Sequence, residues 1–277
     1  MATMDIGSME QLGIEHLSVF GLPPVSFVNL AADLGCRYIA TGLTPFPYNP
    51  HGYDPFSLRD DASLRREMSA VMRDRGVSIS LGEGCMVLPG ADVSAYRADL
   101  DIMARLGITR ISTVSLDRDL NRSFDQFGVL AEMAGARNME VVLEPCPVLT
   151  VSDLGTALAA LDHVRRPNFS LLIDAMHLVR SGSGAAELAA LDPSLIGYVQ
   201  LCDSLLDPVV PSYAEESLFE RMVPGEGELP LRDILNILPA GRVIGLEVPM
   251  RAAAEAGIGP QDRLRRCVDG ARRLLTG

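Results

Sequence analysis

An eight-stranded α/β barrel is the fold that the sequence predicts, on three observations. Short runs rich in Val, Ile and Leu alternate with longer segments of helical spacing, eight of each. Several of the short runs are apolar at consecutive positions, as strands covered on both faces are. The 277 residues match the size of one (β/α)8 domain, and the whole chain, 1–277, is read as a single TIM-barrel domain. The competing arrangement, an open doubly wound sheet, needs a G-x-G-x-x-G loop after the first strand, and SVFGLPP is not one.

Taken in order, the strands are read at 13–19 (GIEHLSV), 37–43 (RYIATGL), 77–83 (VSISLGE) and 109–115 (TRISTVS), then 139–144 (MEVVLE), 169–174 (FSLLID), 195–201 (LIGYVQL) and 242–247 (RVIGLE). Amphipathic stretches fall between and after them, at 24–34, 61–75, 92–106, 123–137, 151–162, 184–191, 230–238 and 260–275. Gly35, Gly76 and Gly107 stand where helix ends need a residue free to take positive φ. The longest irregular stretches, 44–60 and 203–229, both follow strands, which places them at the end of the barrel where such enzymes carry their chemistry.

Composition removes whole classes of function. With 24 basic and 36 acidic residues the net charge is −12, and a phosphate backbone asks for a basic footprint, so no nucleic-acid partner is expected. Every basic side chain other than histidine is Arg; the absence of Lys excludes Schiff-base chemistry, a Walker lysine and a lysine general base. No run of about 18 apolar residues occurs, so no membrane span is expected. The opening MATMDIGSMEQLG reads as no secretory signal. Five widely spaced cysteines without a CxxC pair read as reduced thiols in a cytoplasmic protein.

The strand ends carry the chemistry. Glu83 follows the third strand, Glu144 the fifth and Asp174 the sixth; Gln200 lies near the end of the seventh and Glu247 follows the eighth. A carboxylate directed into a dry barrel mouth is costly unless a cation meets it. Without lysine, that cation is an arginine or a metal ion. Each residue has an ordinary reading: Asp before a helix is commonly an N-cap, a strand-end Glu is commonly solvated or paired, and Gln200 could hold a loop. Four oxygen donors on consecutive strands five to eight are hard to assemble by chance. Three carboxylates and an amide oxygen suit one hard divalent ion, Mn2+ or Mg2+, with Zn2+ or Co2+ as alternatives. His16 and His163 are read as ordinary strand and helix-surface residues. His51, in PYNPHGY, falls at the right end and is entered as a substrate contact, as is Glu83.

These segments resemble the xylose isomerase-like barrel enzymes, a group of sugar isomerases, ketose epimerases and related dehydratases. The resemblance rests on LEP at 143–145, IDAMH at 173–177, VQLCD at 199–203, VPGEGELPL at 223–231 and LEV at 246–248. It implies that Glu144, Asp174, Gln200 and Glu247 bind the metal. It also implies that His177 lies behind the metal or against the substrate, and that Arg221 reaches a substrate oxygen. Many members carry His in place of Gln200; Gln there is more like the 3-dehydroshikimate dehydratases, although the arginine those carry after the third strand is absent from LGEGCMVLP. The expected activity is metal-dependent proton transfer beside a carbonyl of a sugar-like or cyclic polyol or keto substrate. Glu144, Glu247 and His177 are the catalytic residues, and a dehydratase is the alternative outcome. The expected partner is a small molecule, with a homo-oligomer left open. The strand-end loops offer Leu22, Met86, Val87, Leu88, Val148 and Leu149, which points to a substrate with few hydroxyls or with an apolar group attached.

Overall fold

In the computed structural model of the chain, which describes residues 11–208 and 210–276, eight parallel strands close into a barrel in sequence order. The strands are β1 (Leu12–Ile14), β2 (Tyr38–Thr41), β3 (Ser78–Gly82), β4 (Arg110–Thr113), β5 (Glu140–Leu143), β6 (Phe169–Asp174), β7 (Ile196–Leu201) and β8 (Ile244–Leu246). Closure is made by β1 on β8, with Leu12 opposite Ile244 and Ile14 opposite Leu246. The eight-fold alternation read from the sequence is therefore the fold, and the long apolar runs are strands buried on both faces. Most of the opening stretch read for a signal lies outside the described residues. No helix among them is long and apolar enough to cross a membrane.

The helices are α1 (Pro24–Asp33), α2 (Ala62–Arg75), α3 (Arg97–Arg105), α4 (Leu120–Gly135), α5 (Leu154–Val164) and α6 (Ala175–Arg180), then α7 (Ala185–Ala189), α8 (Tyr213–Phe219), α9 (Leu231–Ile237), α10 (Arg251–Glu255) and α11 (Pro260–Thr276). Several begin where an acidic side chain accepts backbone N–H groups left free by the first turn: Asp61 before α2, Asp119 before α4, Asp153 before α5. The large core lies between strands and helices; a smaller layer of Ala40, Leu81, Val142, Leu172 and Tyr198 forms a second cluster.

Four departures from the sequence reading bear on the site. The first strand stops at Ile14, and residues read as its continuation form a 3-10 turn, His16–Val19, that ends with Phe20 at φ 47°. The Ser18 hydroxyl ties this turn back to β8: it donates to the Leu246 carbonyl (2.9 Å), which also accepts the Glu15 N–H (3.1 Å), and it accepts the Val248 N–H (2.7 Å). The stretch 203–229 is not wholly irregular, since it contains α8, whose first turn is capped by Ser212. A short helix, α6, starts directly at Asp174, ahead of the one read at 184–191. Finally, 92–106 divides into a 3-10 turn, Val93–Tyr96, and α3.

Candidate active site

Side chains alternate along a strand, so a residue two places beyond an inward-facing one faces inward too, one layer higher. Leu81, Val142, Leu172 and Tyr198 belong to the small inner cluster, and two residues after each come Glu83, Glu144, Asp174 and Gln200. The same step from Gly13 and Gly245 gives Glu15 and Glu247. Six strands thus deliver a ring of carboxylates and one amide above the apolar layer. Gly245 is needed for this: a Cβ there would stand 1.6 Å from a Glu15 carboxylate oxygen.

The ring divides into two clusters. In one, ligand atoms of Glu144, Asp174 and His177 lie within 4.8 Å of one another; in the other, those of Glu15, Glu83 and Glu247 do. Asp174 caps α6, its Oδ1 accepting the His177 N–H at 2.8 Å, so the plain N-cap reading of this aspartate is correct as far as it goes. Its Oδ2 meets Arg221 Nη1 at 2.5 Å, and Arg221 Nη2 lies 2.9 Å from Glu247 Oε2. Arg221 is thus engaged by two carboxylates and is 5% exposed. The motif around it is built for this. Asp203, 1% exposed, accepts N–H groups from Gly225, Gly227 and Leu229 and so folds VPGEGEL around itself. The Arg221 N–H donates to the Pro249 carbonyl at 2.8 Å, which fixes the arginine beside the end of β8.

His177 is held from two sides. Its Nδ1 is 2.6 Å from the Tyr213 hydroxyl on α8, and its Nε2 is 3.4 Å from Glu144 Oε1. Burial pulls the imidazole pKa down, but the charge of Asp174, with Cys146 and Glu144 alongside, outweighs it and raises it well above the ordinary value. In the other cluster Glu15, fully buried, accepts from the Tyr198 hydroxyl at 2.8 Å and from Gln200 Nε2 at 3.1 Å. Burial, then the charges of Glu83 and Glu247, push its carboxyl well up. Gln200 Nε2 also donates to Glu247 Oε1 at 3.2 Å.

Both donors of the Gln200 amide are therefore directed at carboxylates, while its Oε1 is buried without a hydrogen-bond partner. Glu83 Oε1, His16 Nε2 and Thr113 Oγ1 share that condition. All four residues line one cavity of about 220 Å3, together with Glu144 and Glu247. Unsatisfied buried polar atoms are uncommon in folded proteins, and a group of them around one cavity marks a place where a ligand completes them. The donor set, carboxylates with a bare amide oxygen and an imidazole, fits a divalent cation. The site is a buried acidic and histidine cluster compatible with such an ion.

The structure gathers Glu83, Glu144, Asp174, His177, Gln200, Arg221 and Glu247 at the mouth. It does not bring His51 there: that ring stacks beside Tyr53 at 5.5 Å and faces Arg263 at 3.4 Å, and it lines neither cavity at the mouth. Of the apolar loop residues, Met86 lines the cavity, Val87 is fully buried, and Val148 and Leu149 border a separate surface hollow. Sequence reasoning passed over Glu15, His16, Tyr198 and Tyr213. The inward alternation Gly13-x-Glu15 was a usable signal for the first, hidden because the strand was drawn through to 19.

A family model described as xylose isomerase-like TIM barrel matches residues 28–267. The chain belongs to that family. No curated protein matches it at the sequence level. Among solved structures, the family member resembles the IolI protein with a bound zinc atom at 16% identity, with a TM-score of 0.78 and with 96% of this chain and 98% of that one covered. It resembles the probable 3-DHS dehydratase AsbF of Bacillus anthracis, involved in petrobactin synthesis, at 16% identity and TM-score 0.74, covering 95% and 98%. A D-allulose 3-epimerase from Methylomonas sp. in complex with D-allulose matches at 16% identity and TM-score 0.69, covering 95% and 96%. Identities this low carry the fold. An epimerase and a probable dehydratase are among the proteins that share it.

Proposed function

We propose that the protein is a divalent-metal-dependent isomerase or epimerase that moves a proton beside the carbonyl of a sugar-like or cyclic polyol or keto substrate. One observation carries the reading: Glu144 and Glu247 enter a single cavity from β5 and β8, and the unpartnered Oε1 of Gln200 shares it. Glu144, Asp174, Gln200 and Glu247 would hold the ion, and three carboxylates with an amide oxygen favour Mg2+ or Mn2+. When bound, the ion polarises the substrate oxygen and lowers the barrier to proton loss by several kcal/mol. The chain supplies the rest. Glu144 and Glu247 approach from different walls, so one takes a proton from carbon and the other returns it to the opposite face or the neighbouring carbon. Arg221 holds Asp174 and Glu247 in place from behind. His16 Nδ1, 3.6 Å from Glu83 Oε2, sets the far wall.

The lyase outcome has its own support in His177. An imidazole fixed between Tyr213 and Glu144 is suited to protonate a departing β-hydroxyl. Deuterium uptake from D2O into a panel of keto-sugars, inososes and cyclic hydroxyketones tests the reading, because it registers proton removal before any product is known. Uptake that depends on added Mn2+ or Mg2+ and is lost in Glu144→Gln and Glu247→Gln supports it. Metal-independent uptake, or uptake in both variants at the unaltered rate, refutes it.

A further inference from the structure

The cavity at the metal-side cluster is not closed. A second hollow of about 460 Å3 opens from it, sharing His16, Phe46, Glu83, Cys85 and Met86. Beyond that junction its walls come from Leu43, Pro45, Pro47 and Met103. The charged pair that also lines this annex is occupied with itself: Arg59 gives Asp99 two hydrogen bonds of 2.8 Å, one to each carboxylate oxygen. Met86 is 38% exposed at the junction, although it is an apolar side chain with a cavity on either hand. Helix α8 lies against the same region. Its Tyr213 touches His177, its Leu218 lines the first cavity and is 40% exposed, and its Phe219 stands 6.0 Å from Phe46.

Charge limits what can enter. The mouth gathers Glu15, Glu83, Glu144, Asp174 and Glu247, and no arginine lines the first cavity. Arg221 is engaged by Asp174 and Glu247. In the annex, away from the ion-binding groups, a phosphate or carboxylate would meet Glu83 and Asp99, with the Arg59 guanidinium already engaged by Asp99. An apolar substituent meets the reverse: leaving water for walls of Phe, Met, Leu and Pro is favourable, and an apolar cavity of roughly 150 Å3 already takes up benzene.

We propose that this annex is a substrate subsite, and that the enzyme acts on uncharged α-hydroxycarbonyl compounds carrying an aryl or alkyl group, which lies between Phe46 and Met86 while the hydroxyketone faces Glu144 and Glu247. The assignment rests on the proton-transfer reading for the placement of the hydroxyketone. The polyol hydroxyls that a free sugar presents find few polar partners in the annex, and each hydroxyl left unpaired weakens binding.

Three probes with one reacting core test it on the Mn2+-loaded full chain: hydroxyacetone, 2-hydroxyacetophenone, and the latter with a carboxylate at the ring position opposite the ketone. Calorimetry gives their dissociation constants, and deuterium uptake from D2O gives turnover. The phenyl ketone is expected to bind at least about tenfold tighter than the methyl ketone, and the ring carboxylate is expected to abolish that gain. The phenyl-to-methyl ratio is expected to fall at least about threefold in Met86→Ser, a substitution at an exposed position that the fold accepts. Equal binding of the two neutral ketones, tightest binding of the carboxylated ring, or an unchanged ratio in Met86→Ser overturns the subsite. Uptake without aryl preference removes the subsite and leaves the proton-transfer reading. Aryl preference without uptake in any probe keeps the subsite and removes that reading.

Discussion

Asp174 and Glu247 touch the same guanidinium, yet they hold their protons differently. Burial acts on both to raise the carboxyl pKa. At Asp174, Arg221, the charge of His177 and the His177 N–H outweigh it, and the carboxyl stays below its ordinary value. At Glu247, Arg221 works the same way, but Glu144, Asp174 and Glu83 crowd the group with like charge, and the carboxyl rises to about 8. The β5–β6 side of the mouth thus meets both His177 and Arg221, while on the β1–β3–β8 side Arg221 reaches Glu247, and Tyr198, Gln200 and His16 surround Glu15 and Glu83. The lesson is that an acidic ring is not uniform. Asp174 is held below its ordinary value by the cations beside it, while burial and like charge push Glu15 and Glu247 up.

The comparison breaks most visibly if proton transfer is removed from either side. Glu144→Gln and Glu247→Gln are each expected to lower kcat/KM at least about a hundredfold, about 2.7 kcal/mol of transition-state stabilisation. Steady-state rates on any substrate that takes up deuterium check this. Retention of more than about a tenth of the activity by either variant removes that residue from proton transfer.

Removing the shared cation is expected to act on stability rather than on rate. Arg221→Met leaves Asp174 and Glu247 buried without their partner, a loss of about 3–5 kcal/mol in the metal-free protein. Urea unfolding in the presence of EDTA measures it. Added Mn2+ is expected to recover much of the loss, because the ion meets the same carboxylates; no recovery would separate these residues from metal binding.

The asymmetry also sets a pH dependence for the metal-free protein. Glu15 and Glu247 release their protons near 4.5 when unfolded and at higher pH when folded. Above about pH 4.5 the folded state then holds protons that the unfolded one gives up, so stability falls as pH rises, for Glu247 until about 8. His177 acts in the same direction: its contribution is complete below its unfolded value of 6.5 and is lost as pH passes its raised folded value. Asp174 is opposite, with a contribution lost only on acidification below its ordinary value of 3.8. Thermal melts with EDTA should show Tm falling between pH 5 and 8, and a rise over that range contradicts the account of both clusters. The smallest expected effect is that of Gln200→His. Imidazole should keep the metal and shift the ranking of affinities toward Zn2+ and Co2+. An unchanged ranking by competition titration would take Gln200 away from the ion.

Much of this was legible in the sequence, and the rest was hidden for identifiable reasons. Asp174, Gln200 and Glu247 stand directly after apolar runs, and a buried run that ends on a polar residue shows in one dimension. Glu15 sits inside GIEHLSV, where an apolar alternation continues past it; the strand ends at Ile14, and the turn that follows is held by Ser18 to the backbone of a segment more than two hundred residues away. Tyr213 reaches His177 from a helix in a stretch rich in Pro and acidic residues, and nothing local announces that contact. His51 shows the converse error: Gly and Pro around a histidine mark a turn, but the turn packs the ring against Tyr53 and Arg263 and away from the cavity.

The Ser18 clasp has a consequence in time. It joins residues 228 and 230 positions apart, and Arg263 of the last helix reaches the Ser18 carbonyl from 245 positions away. At a synthesis rate of about 5–20 residues per second, roughly ten to fifty seconds separate the emergence of β1 from that of β8. Throughout that interval the first strand has no partner on its outer side, and an open strand edge invites pairing with other chains. Glu15 and Glu247 come from these two strands, so the acidic ring completes only on closure. A growing chain therefore carries the His177 side before the ring is whole, and the ring waits on the emergence of β8.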